Sequence, residues 1–229
     1  MIQSGGEREQ EQEQRGVHVH VVQQDENNES NFSGVGTELQ FRNISYTINI
    51  GKGSGSESMK TILTGVSGIA SPGSVVALMG PSGAGKTTLL DVIAGRKTGG
   101  KVSGDILLNG RPKDDTFSRY AGYCEQMDSH MPTLTVREAL SVSAALRLDE
   151  SGEERERHVA RVLEQLLLVG YQDQLLGTPG IDGVAPEVRK LVTIGVELVC
   201  KPQVLFLDEP TTGLDSSSAL ATMMYVVHK

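Results

Sequence analysis

Gly80-Pro81-Ser82-Gly83-Ala84-Gly85-Lys86-Thr87-Thr88 decides the fold of this chain. The run from Gly80 to Thr87 fits the spacing G-x-x-x-x-G-K-[ST], a loop whose glycines let successive backbone N–H groups turn inward toward a bound anion. Lys86 can reach β- and γ-phosphates, and the Thr87 hydroxyl can take one coordination position on Mg²⁺. The positive end of a helix starting here adds to the attraction. The flanks supply the context that the motif requires. Val75-Val76-Ala77-Leu78-Met79 reads as a buried parallel strand. Leu89 to Ala94 reads as helix, with Gly95 as its stop. Strand, glycine-rich loop and helix in that order set the stretch apart from a chance Gly-Lys-Thr in a turn.

At 229 residues the chain has room for one sizeable domain and a tail. Its net charge of −8 and the lack of a basic stripe argue against a nucleic-acid groove. No window is long and apolar enough to span a bilayer, and Met1-Ile2-Gln3-Ser4 does not open a signal peptide. Cys124 and Cys200 form no C-x-x-C pair and read as reduced, buried thiols. The sequons at Asn28, Asn31 and Asn43 read as chance matches in the absence of a secretion signal.

Residues 1–36 are rich in Glu, Gln, Asn, Ser and Gly. Glu7, Glu9, Glu11, Glu13, Asp25, Glu26 and Glu29 stand there against Arg8 and Arg15. Such a segment has too little apolar surface to offset its chain entropy, so a disordered tail is expected. His18 and His20 alternate with valines and read as part of that solvated tail rather than as metal ligands. Residues 37–229 form the expected domain. Leu39 to Ile48 and a run near Ile62-Leu63 have β composition, and Asn109-Gly110 signals a hairpin turn after Asp105 to Leu108. Thr135-Val136-Arg137-Glu138 is a capping box opening an amphipathic run to Leu148. Glu154 to Val169, ended by Gly170, is a second expected helix. Glu187 to Val199 is a third, and a last helix starts at Ser216 to Ser218. The pattern predicts an α/β fold of the P-loop NTPase type: a mixed sheet core, an antiparallel β subdomain and a helical subdomain at about 130–200.

Val204-Leu205-Phe206-Leu207-Asp208-Glu209 is an apolar strand ending in two carboxylates, the partner a phosphate loop needs. Asp208 at the strand tip can hold the hydration shell of Mg²⁺, and Glu209 can polarise an attacking water.

With both halves in hand, residues 39–229 resemble the nucleotide-binding domain of ABC transporters. Gly80 to Thr88 matches the family's Walker A loop, and Val204 to Pro210 its Walker B strand. Pro210-Thr211-Thr212-Gly213-Leu214-Asp215 is similar to the segment ending in its D-loop, where Asp215 would face a partner domain. Gly122-Tyr123-Cys124-Glu125-Gln126 resembles its Q-loop, implying that Gln126 reaches the metal and the attacking water. Tyr46 stands where the family places an aromatic that stacks on adenine. The cofactors implied are ATP and Mg²⁺. The partners implied are a second nucleotide-binding domain in a head-to-tail dimer and a transmembrane domain that this chain lacks, at the cytoplasmic face of a membrane. Arg137-Glu138-Ala139-Leu140 and Thr193 to Leu198 are similar to the G subfamily, above all its pleiotropic-drug-resistance type. The intact Lys86 resembles that type's second, C-terminal half.

Two departures accompany the resemblance. The family's signature loop is Leu-Ser-Gly-Gly-Gln or close to it, whereas this chain has Val184-Ala185-Pro186-Glu187-Val188. Ala185 has no hydroxyl and Pro186 no N–H. Glu187 brings like charge toward a phosphate, on the order of 3 kcal/mol per charge pair at about 5 Å and an effective dielectric near 20. An asymmetric dimer is expected, with one hydrolysing site built on Lys86, Asp208 and Glu209 and one poorly closing site. The second departure is at the C-terminus. His228 follows Asp215 too closely to be the family's switch histidine, so a truncated domain is expected. Two other readings compete with an exporter ATPase: a soluble ABC-type ATPase of DNA repair, which usually carries long insertions absent between Lys86 and Asp208, and a non-hydrolysing nucleotide-binding fragment acting as an interaction module.

Overall fold

The computed structural model describes residues 18–22, 36–51 and 59–227. Their β-rich part is an antiparallel sheet of four strands, ordered β3 (Met59–Ala70), β2 (Leu39–Asn49), β5 (Lys101–Leu108) and β6 (Arg111–Pro112). Alternation buries Leu39, Phe41, Ile44 and Tyr46 of β2. The register between β2 and β5 slips between Arg42 and Ser45, where Asn43 takes a left-handed φ of 51°. The expected hairpin is present. Asn109 and Gly110 have φ of 49° and 74°, the pair of positive values that a tight two-residue turn requires, and Leu108 faces Arg111 across it.

The phosphate-loop strand, β4 (Val75–Met79), differs from expectation. It is half-buried rather than buried, Met79 is exposed, and its neighbour is antiparallel. That neighbour is β1 (His18–Val22), with His18 opposite Met79 and Val22 opposite Val75. The tail reading for residues 1–36 is therefore corrected at these five residues. Pairing satisfies one row of β4 backbone groups that would otherwise lie unpaired at a sheet edge, and Val19, Val21 and Val22 have the β-branched composition for it. Residues 1–17 and 23–35 lie outside the described residues, as does His228. A third sheet pairs β7 (Ala121–Cys124) with β8 (Val204–Leu207) in parallel, Cys124 opposite Leu207.

Helix α1 (Lys86–Ala94) buries Leu89, Val92 and Ile93 in one core with Phe41, Ile44, Tyr46, Leu63, Phe117 and Phe206. The rings of Phe117 and Phe206 meet edge to face at 6.3 Å. A second core belongs to the helical subdomain: α2 (Val136–Arg147), α3 (Gly152–Gln165) and α4 (Pro186–Leu198) close over Leu140, Leu163, Leu166, Leu168, Leu176 and Val192. Both α2 and α3 open with complete capping boxes, Thr135 with Glu138 and Ser151 with Glu154. The α3 terminus is not at Gly170 as expected. Leu167 itself takes φ 52°, and Leu168 N–H bonds back to Leu163 C=O at 2.8 Å. The left-handed conformation costs a leucine about 1–2 kcal/mol. Turning there leaves Leu167 exposed while its neighbours Leu166 and Leu168 are fully buried, each contributing about 1.5–3 kcal/mol. The burial outweighs the strain. Helix α5 (Ser216–Val227) follows β8.

Candidate nucleotide site

The phosphate loop runs from the end of β4 into α1. Gly83 and Gly85 take φ of 79° and 97°, in the left-handed region where a side chain would be strained. Gly85 is the N-cap, and its carbonyl accepts from Leu89 N–H at 2.8 Å. Lys86, Thr87 and Thr88 then form the first helical turn, whose N–H groups have no intrahelical acceptor. Pro81 C=O is bonded to Ala84 N–H at 3.1 Å, which tightens the turn and leaves Ser82 and Gly83 exposed at its tip. Lys86 Nζ arches back over the loop and donates to Gly80 C=O at 2.8 Å and Pro81 C=O at 3.1 Å.

Across from α1, the loops after β7 and β8 bring the other expected residues to the same place. Thr87 Oγ1 donates to Asp208 Oδ1 at 3.0 Å, joining groups 121 positions apart in sequence. Asp208 is itself fixed by its N–H, which donates to Cys124 C=O at 3.0 Å. Burial pushes the Asp208 carboxyl above its ordinary range against the Thr87 hydrogen bond and Lys86, which act the other way, while Glu209 and Asp91 add to the rise. Glu209 has φ 47°, an uncommon conformation for a residue with a side chain. Its carboxylate accepts from Gln126 Nε2 at 2.9 Å and from Thr212 Oγ1 at 2.8 Å. The oxygen donors of Thr87, Asp208 and Gln126 are hard ligands suited to Mg²⁺, and the glycine-lined turn with Lys86 is suited to phosphate, so the residues fit ATP with Mg²⁺.

Two further residues have no role assigned from sequence. Tyr123 of β7 donates to Asp91 Oδ1 of α1 at 2.9 Å, and the Arg96 guanidinium lies 4.1 Å from its ring centre. This ties the phosphate-loop helix to the strand beneath Gln126; burial, then Asp91, drives the Tyr123 phenol pKa up. Lys190 is the second, described below. A tyrosine in a strand and a lysine in a helix carry no spacing signal, so only the fold could bring them forward. Asp215 caps α5, accepting from Ser217 N–H at 2.9 Å and Ser218 Oγ at 2.7 Å, bonds that hold its carboxyl below the usual range.

The adenine-stacking expectation for Tyr46 is corrected. Tyr46 is 6% exposed, lies in the core with Phe41 and Leu63, and donates its hydroxyl to Gly99 C=O at 2.8 Å. Its ring also presses on Gly100, where any Cβ would collide with it. A residue used up in this way offers no open face to a base. Cys124 and Cys200 are buried free thiols, and burial raises both pKa values, as expected of inert core cysteines.

The glycine-rich turn, the lysine over it and the carboxylates of the neighbouring strand define a P-loop nucleotide-binding protein. The profile of the ABC transporter family matches residues 63–212. The chain is 48% identical over 195 residues to ABC transporter G family member 44 of Oryza sativa subsp. japonica, covering 82% of this chain and 13% of that protein. It is 50% identical over 168 residues to G family member 38 of the same species, covering 72% and 11%. It is 46% identical over 195 residues to G family member 32 of Arabidopsis thaliana, covering 82% and 14%. The chain belongs to the ABC transporter family and is similar to a part of these G family members. It spans only that small share of the relatives it matches. No helix among the described residues is long and apolar enough to cross a membrane.

Proposed function

We propose that this chain is the ATP-binding and ATP-hydrolysing module of a transmembrane exporter of the pleiotropic-drug-resistance type, working at the cytoplasmic face of a membrane. One observation carries the reading: Thr87 with Asp208 at 3.0 Å and Gln126 with Glu209 at 2.9 Å converge on one loop from three separate elements. The backbone from Gly80 to Thr88 binds the phosphates and Lys86 neutralises them. Thr87, Asp208 and Gln126 would hold Mg²⁺, which would supply charge stabilisation when bound. Glu209 accepts the proton of the attacking water, with Gln126 and Thr212 fixing its carboxylate.

The functional partner is a second nucleotide-binding domain whose signature loop closes on this site. The loop at Val184 to Val188 would serve the partner's site poorly. Ala185, Pro186 and Glu187 are exposed, and Ala185 caps α4 without a side-chain bond. Two sites of unequal turnover follow. The test mixes the chain with a complementary domain bearing Leu-Ser-Gly-Gly-Gln and measures ATP binding and phosphate release. Glu209→Gln should keep binding and lose release. Equal release by wild type and Glu209→Gln would reject the role of Glu209, and equal turnover at both sites would reject the asymmetry.

A further inference from the structure

Gln126 is exposed and belongs to a stretch without regular structure between β7 and α2. Yet its side chain meets Glu209 at hydrogen-bond distance. Something must hold this piece of backbone, and the groups that do so come from α4. Lys190 is 2% exposed, an unusual place for an ammonium. Its Nζ donates to Gln126 C=O at 2.9 Å and pairs with Asp128 Oδ1 at 2.8 Å. The same Asp128 oxygen accepts from Thr193 Oγ1 at 2.7 Å, one helical turn along α4, and His130 Nε2 lies 2.8 Å from that hydroxyl. Lys190 and Thr193 stand at i and i+3, so both reach the loop from one face of the helix.

We propose that Lys190, oriented by Asp128, is a positioning residue that fixes Gln126 against Glu209 and the metal position. This rests on the proposed role of Gln126 as a Mg²⁺ ligand. Lys190 is not among the residues proposed to hold nucleotide or metal; its Nζ contacts are Gln126 C=O and Asp128. Lys190 anchors the carbonyl of the proposed ligand, as outer partners of metal ligands do, and removing such partners lowers metal affinity by about 10–100-fold. Scaffolding by the buried ion pair is the competing role, and the two roles separate experimentally. Lys190→Met alone strands a buried carboxylate and should be destabilising. Lys190→Met with Asp128→Asn removes both charges, so stability returns, while Gln126 C=O remains unheld.

The measurement is ATP affinity of the full chain in EDTA and in excess Mg²⁺, with thermal melts alongside. Wild type should bind ATP in EDTA and bind it more tightly with Mg²⁺. The double variant should melt near wild type, bind metal-free ATP within about 2-fold of it, and lose about 10-fold or more of the Mg²⁺-dependent gain. Lys190→Arg, which keeps a donor and a charge, should recover part of that gain. A double variant with the full Mg²⁺ gain overturns the proposal and leaves the pair as scaffolding. Wild type binding ATP without any Mg²⁺ gain overturns it too while the phosphate cradle stands. Wild type failing to bind ATP both in EDTA and in excess Mg²⁺ overturns the nucleotide reading itself and this proposal with it.

Discussion

Two helices of this molecule begin at glycine-containing loops, and they use the same physics to opposite ends. At α1 the N-cap is Gly85 in a left-handed conformation, followed by Lys86 and Thr87. At α4 the N-cap is Ala185 in extended conformation with φ −60° and ψ 155°, followed by Pro186 and Glu187. Both ends carry free N–H groups and the positive end of a helix dipole. At α1 no side chain intrudes, and a cation and a hydroxyl flank the opening. At α4 a proline ring removes one donor, and a carboxylate of the chain itself occupies the first turn, where it stabilises the helix by about 0.3–1 kcal/mol. One helix start is open to a foreign anion; the other has satisfied its own dipole. A helix N-terminus is therefore not a binding site until its first few residues leave it vacant.

The largest effect that can break this contrast comes from Lys86→Ala. Charge-assisted hydrogen bonds contribute about 1.5–3 kcal/mol, so calorimetric ATP affinity should fall about 10–100-fold with little change in melting temperature, because among the described residues Lys86 Nζ bonds within its own loop. Unchanged affinity would mean that the α1 loop is no more a phosphate site than the α4 loop. Asp208→Asn comes next. Burial raises the Asp208 pKa, so its ionised form costs stability at neutral pH: the folded chain holds the proton to higher pH than the unfolded one, and stability falls as pH rises through that window. Asparagine keeps an acceptor for Thr87 Oγ1 without the charge. We expect Asp208→Asn to melt at or above wild type while losing about 10-fold of the Mg²⁺-dependent ATP affinity. A lower melting temperature would assign Asp208 to the scaffold.

How much of this was written in the sequence differs between the two regions as well. The α1 loop was legible in full, because its chemistry needs glycines, Lys86 and Thr87 at fixed spacing. The place of Asp208 and Glu209 at the tip of a strand was legible because Val204 to Leu207 is a short apolar run. The Asn109-Gly110 turn and the Thr135 capping box announced themselves through local backbone demands. What escaped depended on contacts distant in sequence. Tyr46 read as a base-stacking ring, and the fold instead spends it on Gly99 and Gly100. His18 to Val22 read as tail because composition averages over a window and hides a five-residue strand. The end of α3 was misplaced because Leu166 and Leu168 demand burial on both sides of Leu167, a tertiary requirement that overrides the glycine signal at Gly170.

A smaller effect belongs to the helical region that carries the α4 loop. Both ring nitrogens of His158 on α3 are buried, with no hydrogen-bond partner among the described residues. Burial first, then Lys201 and Arg161, hold its pKa below the ordinary value, with Glu150 opposing. The unfolded chain therefore takes up a proton that the folded one refuses. Stability is fully present above about pH 6.5 and is lost as pH falls from there toward the folded pKa. His130 is lowered by burial too and acts with the same sign. His158→Leu should make the melting temperature less dependent on pH below about 6.5, as read in a series of buffers. An unaltered slope would remove His158 from the account.

The smallest effect tests the α4 start itself. Ala185→Ser supplies a capping oxygen for the first-turn N–H groups and should stabilise by about 0.5–1 kcal/mol. In the isolated chain it should leave ATP affinity untouched, because the proposed phosphate site lies at the α1 start. Adding Pro186→Gly and Glu187→Gly would complete the Ser-Gly-Gly of the ABC signature, and stability should then fall. Glycine costs about 1 kcal/mol against alanine within a helix, and the favourable charge of Glu187 at the dipole is lost. The residues that suit a phosphate clasp are the worse residues for starting this helix. If the triple variant instead melts higher than Ala185→Ser, that opposition is absent, and the difference between the two helix starts must be explained by something other than the stability of α4.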